Sequence, residues 1–312
     1  MVNKRHDSSI SRAGGGALPG DSPSTELSLA FRQHGRHWRE NAYCYPVVSR
    51  RSGGLSIGIN LNPSKACNFD CIYCQVDRAV PPPVRKVDLA VLKAELDHLL
   101  NVAIDQTLFA DPPLDCLAAD QRAIRDIAFS GDGEPTAYPR FNEAVQIAAD
   151  ARRAHDLRDT RIVVITNACY LAKPKVRAAL RVLDENNGEI WAKLDAGTQA
   201  YYEKVSRSAL PLSHVLANIL DAAIVRPIVI QSLWMRIHGE PPPAEELRAF
   251  ADRLKEIIAG GGKIKLVQVY TIARQPAEAF TEALSREQLD GVAAIIGASV
   301  NVPLEVFPGV GG

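Results

Sequence analysis

Short apolar runs alternate with segments of helical period along most of the chain, and this alternation limits the possible folds. The strand-like runs, rich in β-branched residues, lie at Leu55–Leu61, Ile124–Phe129, Arg161–Thr166, Glu189–Asp195, Pro227–Leu233 and Ile264–Ile272. The helical patterns lie near Asp88–Leu100, Phe141–His155, Pro174–Asp184, Ser213–Ala223, Pro243–Ala259 and Ser285–Ile296. Strands that alternate with helices form parallel βαβ units. The sequence therefore predicts an α/β fold, a partial (β/α)6-type barrel whose site lies at the carboxyl ends of the strands.

The composition divides the chain into four segments. Residues 1–28 are rich in Ser, Gly, Asp and Pro without apolar periodicity, which predicts a disordered tail. Residues 29–54 form a lead-in segment, and residues 55–275 form the core barrel. Residues 276–312 form a C-terminal extension of one helix and one short strand at Ser299–Val306.

The charge balance and the cysteines limit the class of protein. The 36 basic and 36 acidic side chains cancel, so the net charge draws the chain neither to nucleic acid nor to a membrane. No run of about 18 apolar residues is present, and the N-terminus lacks the apolar region of a signal peptide. Three of the six cysteines lie within eight residues, which indicates metal ligation in a reducing compartment. We therefore expect a cytoplasmic protein without a membrane partner.

The three clustered cysteines are the strongest sign of chemistry. Cys67, Cys71 and Cys74 directly follow the first predicted strand. Thiolates at this spacing can fold around one face of a [4Fe–4S] cubane. A fourth local cysteine is missing, which leaves one iron open, as a catalytic metal centre needs. The alternative is a zinc site with a remote fourth ligand, such as Cys44 or a histidine.

Polar residues follow the next two strands. Gly133 and Glu134 come after the second strand, where glycine allows a close backbone approach and the carboxylate can accept from an ammonium. Asn167 ends the third strand and either binds a ligand or caps the chain locally.

The fourth strand carries charged residues on one face. Period two places Trp191, Lys193 and Asp195 together, with Lys193 and Asp195 facing the barrel lumen. Such charges are costly there unless they neutralise each other or bind a ligand. Lys193 could reach a carboxylate, or form a Schiff base if its pKa is depressed. Three more polar side chains that could line the lumen, or be satisfied within the core, are Gln231, Gln268 and Tyr270.

The cysteine spacing, with Tyr73 before the last cysteine, resembles that of the radical S-adenosylmethionine (SAM) superfamily. The resemblance implies one cluster on the three cysteines, with SAM chelating the open iron. Reductive cleavage of SAM then yields a 5′-deoxyadenosyl radical for hydrogen abstraction, and the electron comes from a donor such as flavodoxin or ferredoxin. It also implies that Tyr73 contacts the adenine region and that Gly133 and Glu134 hold the SAM amino group, although Asp132 replaces the usual first glycine.

The SAM nucleoside would have further contacts in such a site. Asn167 could bind the ribose or the carboxylate of SAM, and Asp195 fits the ribose hydroxyls.

Four segments between residues 55 and 275 extend the resemblance to the Fe–S oxidoreductase group related to wyosine (4-demethylwyosine) tRNA synthases. They are NLNPSKACNFDCIYCQVDR, FSGDGEPT, WAKLDAGT and QVYTIAR. The likeness implies a substrate base in tRNA. Those synthases hold a second cluster on three upstream cysteines, whereas here only Cys44 lies upstream, and Cys116 and Cys169 are scattered. We therefore expect one cluster.

Substrate alternatives stay open at this level. A base flipped out of tRNA needs a positive rim. The residues that could supply one are the N-terminal basic residues with His34, His37 and Trp38, together with Arg207, Arg226 and Arg274. The N-terminal residues could equally be a solvated lead-in. A second hypothesis keeps the radical chemistry but gives it a small-molecule or peptide substrate, and a third is a zinc-stabilised binding protein.

Overall fold

The structure, a computed structural model, describes Phe31 and residues 38–309. The strands are β1 (Cys44–Ser49), β2 (Gly54–Ile59), β3 (Ile124–Phe129), β4 (Arg161–Thr166), β5 (Gly188–Lys193), β6 (Ile228–Leu233), β7 (Met235–Ile237), β8 (Ile264–Tyr270), β9 (Thr281–Ala283) and β10 (Leu304–Phe307). The helices are α1 (Leu89–Ile104), α2 (Phe141–Ala154), α3 (Pro174–Asp184), α4 (Gln199–Ser206), α5 (Leu212–Val225), α6 (Ala244–Ala259) and α7 (Arg286–Ser299). The predicted tail and the predicted phosphate contacts of His34 and His37 lie outside the described residues.

An eight-stranded sheet in the order β1-β2-β3-β4-β5-β6-β8-β10 forms the core of the fold. The strands β2, β3, β4, β5, β6 and β8 are parallel neighbours and coincide with the six predicted runs. Helices connect them, so the carboxyl ends of all six strands meet at one end of the barrel, here called its carboxyl end. The predicted α/β partial barrel is confirmed.

The helices cover the sheet with apolar faces of helical period. In α1 the buried residues are Leu89, Leu92, Leu96, Leu99, Leu100 and Ala103. Asp88 starts this helix by accepting hydrogen bonds from the first free backbone N–H groups, at Ala90 (2.8 Å) and Val91 (3.3 Å). Among the described residues, no helix is long and apolar enough to cross a membrane.

Strand β1 was not predicted, because Pro46 interrupts its short apolar run. The strand pairs antiparallel with β2, from Cys44 opposite Ile59 to Ser49 opposite Gly54. It lies at the edge of the sheet, where proline is tolerated since one side of the strand has no partner. The lead-in segment thus contributes a strand to the same sheet as the core.

Strand β10 forms the opposite edge, parallel to β8. The guanidinium of Arg50, in the turn between β1 and β2, donates a hydrogen bond to the carbonyl of Pro308, just after β10. This contact joins the two edges of the open barrel. The short helix α4 and the separate β7–β9 pair were also not predicted; both are too short to show a clear period.

Candidate functional site

The cysteine loop opens into a cavity of about 310 Å³ within the barrel. Cys67 is exposed, whereas Cys71 and Cys74 are half-buried, and all three line the cavity. The loop follows β2 and therefore lies at the carboxyl end of the barrel, as predicted. Hydrogen bonds hold it: the N–H of Ile72 donates to Val205 at the end of α4 (3.0 Å).

Burial controls the protonation of these thiols. It raises the pKa of Cys71 to about 12 and also raises the pKa of Cys67. The guanidinium of Arg78 donates to the sulfur of Cys74 at 3.4 Å. As free thiols, Cys67 and Cys71 are protonated at neutral pH, so binding of a metal to them would release protons.

Gly133 lies against the backbone of the cysteine loop. A Cβ atom at this position would lie 2.2 Å from the carbonyl oxygen of Ala66 and 2.9 Å from Cβ of Asn62. Only glycine allows the turn after β3 to pack so closely under the loop. Gly133, which the sequence analysis assigned to the binding of the SAM amino group, is therefore also required for packing. Asp132, the departure from the usual motif, accepts a hydrogen bond from Asn60 (2.7 Å).

Glu134 connects the turn after β3 to the end of β4. Its Oε1 accepts from the hydroxyl of Thr166 (2.6 Å) and from the N–H of Thr136 (3.1 Å), and its Oε2 accepts from the N–H of Asn167 (2.7 Å). The carboxyl group is buried, and burial raises its pKa. The four predicted site elements, the cysteine loop, Gly133, Glu134 and Asn167, thus lie side by side.

Asn167 reaches the cysteine loop through a residue that the sequence analysis missed. Its Nδ2 donates to the Oδ1 of Asn68 at 2.9 Å. The Nδ2 of Asn68 is buried and has no nitrogen or oxygen acceptor among the described residues; the acceptor that its side chain meets is the sulfur of Cys169. In the sequence, only the position of Asn68 next to Cys67 indicated a role in the site. A donor that meets only a sulfur beside the cysteines fits a group that binds there.

Both carboxylate oxygens of Asp195 are used within the protein. Oδ1 accepts from the N–H of Leu233 (2.8 Å), and Oδ2 accepts from the hydroxyl of Tyr73 and lies 3.6 Å from Nζ of Lys193. The predicted ribose and adenine contacts of Asp195 and Tyr73 stay predictions. What the geometry shows is that Asp195 orients Tyr73.

Lys193 is an ammonium in the lumen. Its Nζ donates to the hydroxyl of Tyr270 at 2.7 Å and pairs with Asp195. Burial by itself lowers the pKa of Lys193, but the charges of Asp195 and Tyr270 and the hydrogen bond raise it above the ordinary value. A Schiff base required a depressed pKa, so that role of Lys193 is a prediction that the geometry does not support. Binding of a carboxylate keeps its support.

The two predicted glutamines lie together in the lumen wall. Nε2 of Gln231 donates to Oε1 of Gln268 at 2.8 Å, and both side chains are buried. Oε1 of Gln231 has no partner among the described residues, although Gln231 lines the cavity.

Two lumen residues escaped assignment to the site. Arg51 lies over the rings of Trp191 and Tyr270, and Asp126 accepts a hydrogen bond from Ser56. Asp126 alternates with Ala128 along β3, so the period of two could have placed it in the lumen. For Arg51, the sequence showed only that it lies in a basic segment.

The three predicted rim arginines lie at different places. Arg207 is paired with Glu278 (2.6 Å) next to the cysteine loop, and Arg274 lines the cavity. Arg226 pairs with Asp184 (2.6 Å) after α5, where the chain enters the amino end of β6. The prediction for Arg226 was wrong, because this end of the barrel is opposite to the cysteine loop.

The remaining cysteines are separated. Cys44 donates to Leu92 O (3.7 Å) behind α1, and Cys116 donates to Pro113 O (3.2 Å). Cys169 is buried near the site, and burial raises its pKa to about 12.

The cysteine loop brings three thiols to one cavity. Within residues 38–309, no three His, Cys, Asp or Glu side chains are placed to hold a single metal ion. Zinc needs its ligands around one point, whereas the ligands of a cubane bind three different iron atoms.

Known proteins resemble this chain in sequence and in fold. Residues 61–223 match the family described as the radical SAM superfamily. Two UPF0026 proteins of Helicobacter pylori are 27% and 28% identical over 214 and 246 residues. These alignments cover 68% and 78% of this chain, and 61% and 70% of those proteins. A solved structure of TYW1 with a lysine–pyruvate adduct bound is 13% identical with a TM-score of 0.48, and the match covers 80% of this chain and 74% of that chain.

Proposed function

Because this chain belongs to the radical SAM superfamily, we propose that it is an enzyme that cleaves S-adenosylmethionine reductively at one [4Fe–4S] cluster. The observation that carries the proposal is the close packing of Gly133, the neighbour of Glu134, against the backbone of the cysteine loop. It brings three thiols, a carboxylate and an open cavity to one end of the barrel.

Cys67, Cys71 and Cys74 would hold the cluster, and the absence of a fourth cysteine in the loop leaves an iron for SAM. When bound, the reduced cluster supplies the electron that releases a 5′-deoxyadenosyl radical from SAM. Glu134 would accept a hydrogen bond from the ammonium of SAM at Oε2. This oxygen has a single partner, Asn167, among the described residues.

Other side chains would position SAM and the cluster. Tyr73, Asn167 and Asp195 are proposed to surround the adenosine, with Tyr73 held in place by Asp195. Cys67 lies at the surface, which supports access for an electron donor such as flavodoxin or ferredoxin. A reducing cytoplasm would preserve these thiols.

The central test compares two cysteine variants after anaerobic reconstitution. Wild type should contain about four iron atoms per chain and form 5′-deoxyadenosine with dithionite. Cys71→Ala should lose this product, whereas Cys116→Ala, outside the site, should keep it. Formation of 5′-deoxyadenosine by Cys71→Ala, or a colourless wild type with one zinc, contradicts the proposal.

For the substrate, we propose a base in tRNA, which is supported by the four motifs that resemble the wyosine synthase group. Mass spectrometry of tRNA nucleosides from wild-type and deletion cells tests it. A nucleoside that is altered in the deletion supports a tRNA base. Identical nucleosides leave a small molecule or a peptide as the substrate class.

A further inference from the structure

We propose that the lumen contains an anion-binding subsite, in which Arg51 and Lys193 bind a carboxylate or phosphate group of a molecule that takes part in the reaction. The inference rests on the proposed function only in taking the bound anion to belong to the substrate.

Arg51 is a cation inside the cavity. Its guanidinium carbon lies 5.8 Å from the ring centre of Trp191 and 5.1 Å from that of Tyr270, and all three residues line the cavity. Lys193 approaches the same Tyr270 ring, with Nζ 5.4 Å from its centre. Both cations thus contact the ring of Tyr270 and line the same cavity.

Arg51 has no ion-pair partner in the part of the chain that the structure describes. Other cations of this region have one: Arg161 lies 3.6 Å and Lys265 2.6 Å from Glu189. The carboxyl group of Asp126 interacts with the charge of Arg51, but it also accepts a hydrogen bond from Ser56 and lies 3.9 Å from Arg161. A half-buried cation whose neighbouring carboxyl group is shared with a second arginine would be stabilised by an anion from outside.

Arg50 adds to the positive charge. Its guanidinium is bound to the carbonyl of Pro308 and lies over the ring of Phe31, again without a carboxylate partner among the described residues. Burial and the charge of Arg51 lower the pKa of Arg50 to about 10. The turn between β1 and β2 thus presents two adjacent guanidinium groups to one cavity.

A buried polar atom in the same cavity is also without a partner. Oε1 of Gln231 is fully buried and receives no hydrogen bond from the described residues. The ammonium of Lys193 has three N–H donors, of which Tyr270 and Asp195 use two. An acceptor and a donor therefore stay available for a polar molecule in the lumen.

These groups define the substrate class. An uncharged base supplies no anion for Arg51, so the group that pairs with Arg51 is a carboxylate or a phosphate that enters the lumen together with the base. The cavity that Arg51 and Lys193 line is also lined by the three cysteines of the loop, so the bound anion would lie in the same lumen as SAM.

The test is isothermal titration calorimetry of the reconstituted full-length protein with inorganic phosphate and, separately, acetate, at constant ionic strength. We expect one of the two anions to bind, and its identity shows whether the group is a phosphate or a carboxylate. Arg51→Gln should weaken binding about tenfold or more, because a charge-assisted hydrogen bond is lost. Arg51→Lys, which keeps the charge, should weaken it less. The control Arg158→Gln alters an arginine that is 85% exposed and should bind as wild type does.

Two results overturn the subsite: neither anion binds to wild type, or Arg51→Gln binds as tightly as wild type while retaining its circular dichroism spectrum. Formation of 5′-deoxyadenosine is measured on the same wild-type preparation. If 5′-deoxyadenosine forms but no anion binds, the subsite alone is refuted. If an anion binds but no 5′-deoxyadenosine forms, the radical function alone is refuted.

Discussion

The hydroxyl of Tyr73 donates a hydrogen bond to Asp195, and this contact joins the cysteine loop to the chain just after β5. The two residues are 122 positions apart in sequence. Asp195 is itself held by the N–H of Leu233, at the end of β6. The position of the cysteine loop therefore depends on two strands on the other side of the lumen.

Tyr73→Phe should reduce the free energy of unfolding by about 1.5–3 kcal/mol, since a buried hydrogen bond to a carboxylate is lost. Tyr45→Phe is the matched control. It removes a bond from Tyr45 to the neutral carbonyl of Ser130 (2.9 Å) and should cost about 1 kcal/mol. Urea unfolding of both variants gives the comparison. An equal cost for the two would show that the bond to Asp195 has no special weight.

Gly133→Ala should prevent assembly of the cluster site. The added Cβ would meet the Ala66 carbonyl at 2.2 Å, so the cysteine loop has to move. Iron per chain after anaerobic reconstitution is the measurement. Gly291→Ala serves as the control, because its Cβ would meet nothing within 4 Å in the middle of α7. The control should keep its iron and gain about 0.5–1 kcal/mol of stability. Normal iron content in Gly133→Ala would contradict the packing argument.

Asp126→Asn should change how stability depends on pH. Burial raises the pKa of the Asp126 carboxyl in the folded protein. Folding then favours the protonated form, so its contribution to stability falls as pH rises from the unfolded-chain pKa through the folded pKa. The free energy of unfolding of wild type minus that of the variant should therefore decrease as pH rises from about 4 and then level off.

The control for this pH series has the opposite sign. The hydrogen bonds from Thr107 lower the pKa of Asp105. The contribution of Asp105 is thus present above the unfolded-chain pKa and lost as pH falls. For Asp105→Asn, the free energy of unfolding of wild type minus that of the variant should therefore increase as pH rises. Urea unfolding at several pH values measures both, and parallel curves for the two variants would refute the assignment.

Glu246→Ala should destabilise the segment after β5. This buried carboxylate of α6 accepts from the N–H groups of Gly197 and Thr198 (3.1 Å for Thr198) and from the Thr198 hydroxyl (2.6 Å). Loss of these bonds should cost about 3 kcal/mol in urea unfolding. The neighbouring Glu245 is exposed, and Glu245→Ala should change stability by less than about 0.5 kcal/mol. Similar losses at both positions would contradict the role given to Glu246.

Prediction from sequence succeeded where the relevant signal is local. The six parallel strands were found because each is a short segment of ordinary strand length that is rich in apolar and β-branched residues. Strand β1 was missed because Pro46 breaks its pattern, and α4 because eight residues hold little more than two turns. The same limit applied to the site: Cys67 and Gly133 lie in recognisable motifs, whereas Asn68 became relevant only through its bond to Asn167.

The sequence by itself determined which residues share a loop or a strand face: the three cysteines, the turn with Gly133, and the lumen face of β5. These follow from spacing and period, which the chain carries locally. Only the tertiary structure decided the partners across the lumen. It paired Tyr73 with Asp195, placed Arg51 against Trp191 and Tyr270, and put Arg226 at the wrong end for a rim. The reason is that these contacts depend on how the sheet curves and where its edges meet, which no local pattern encodes.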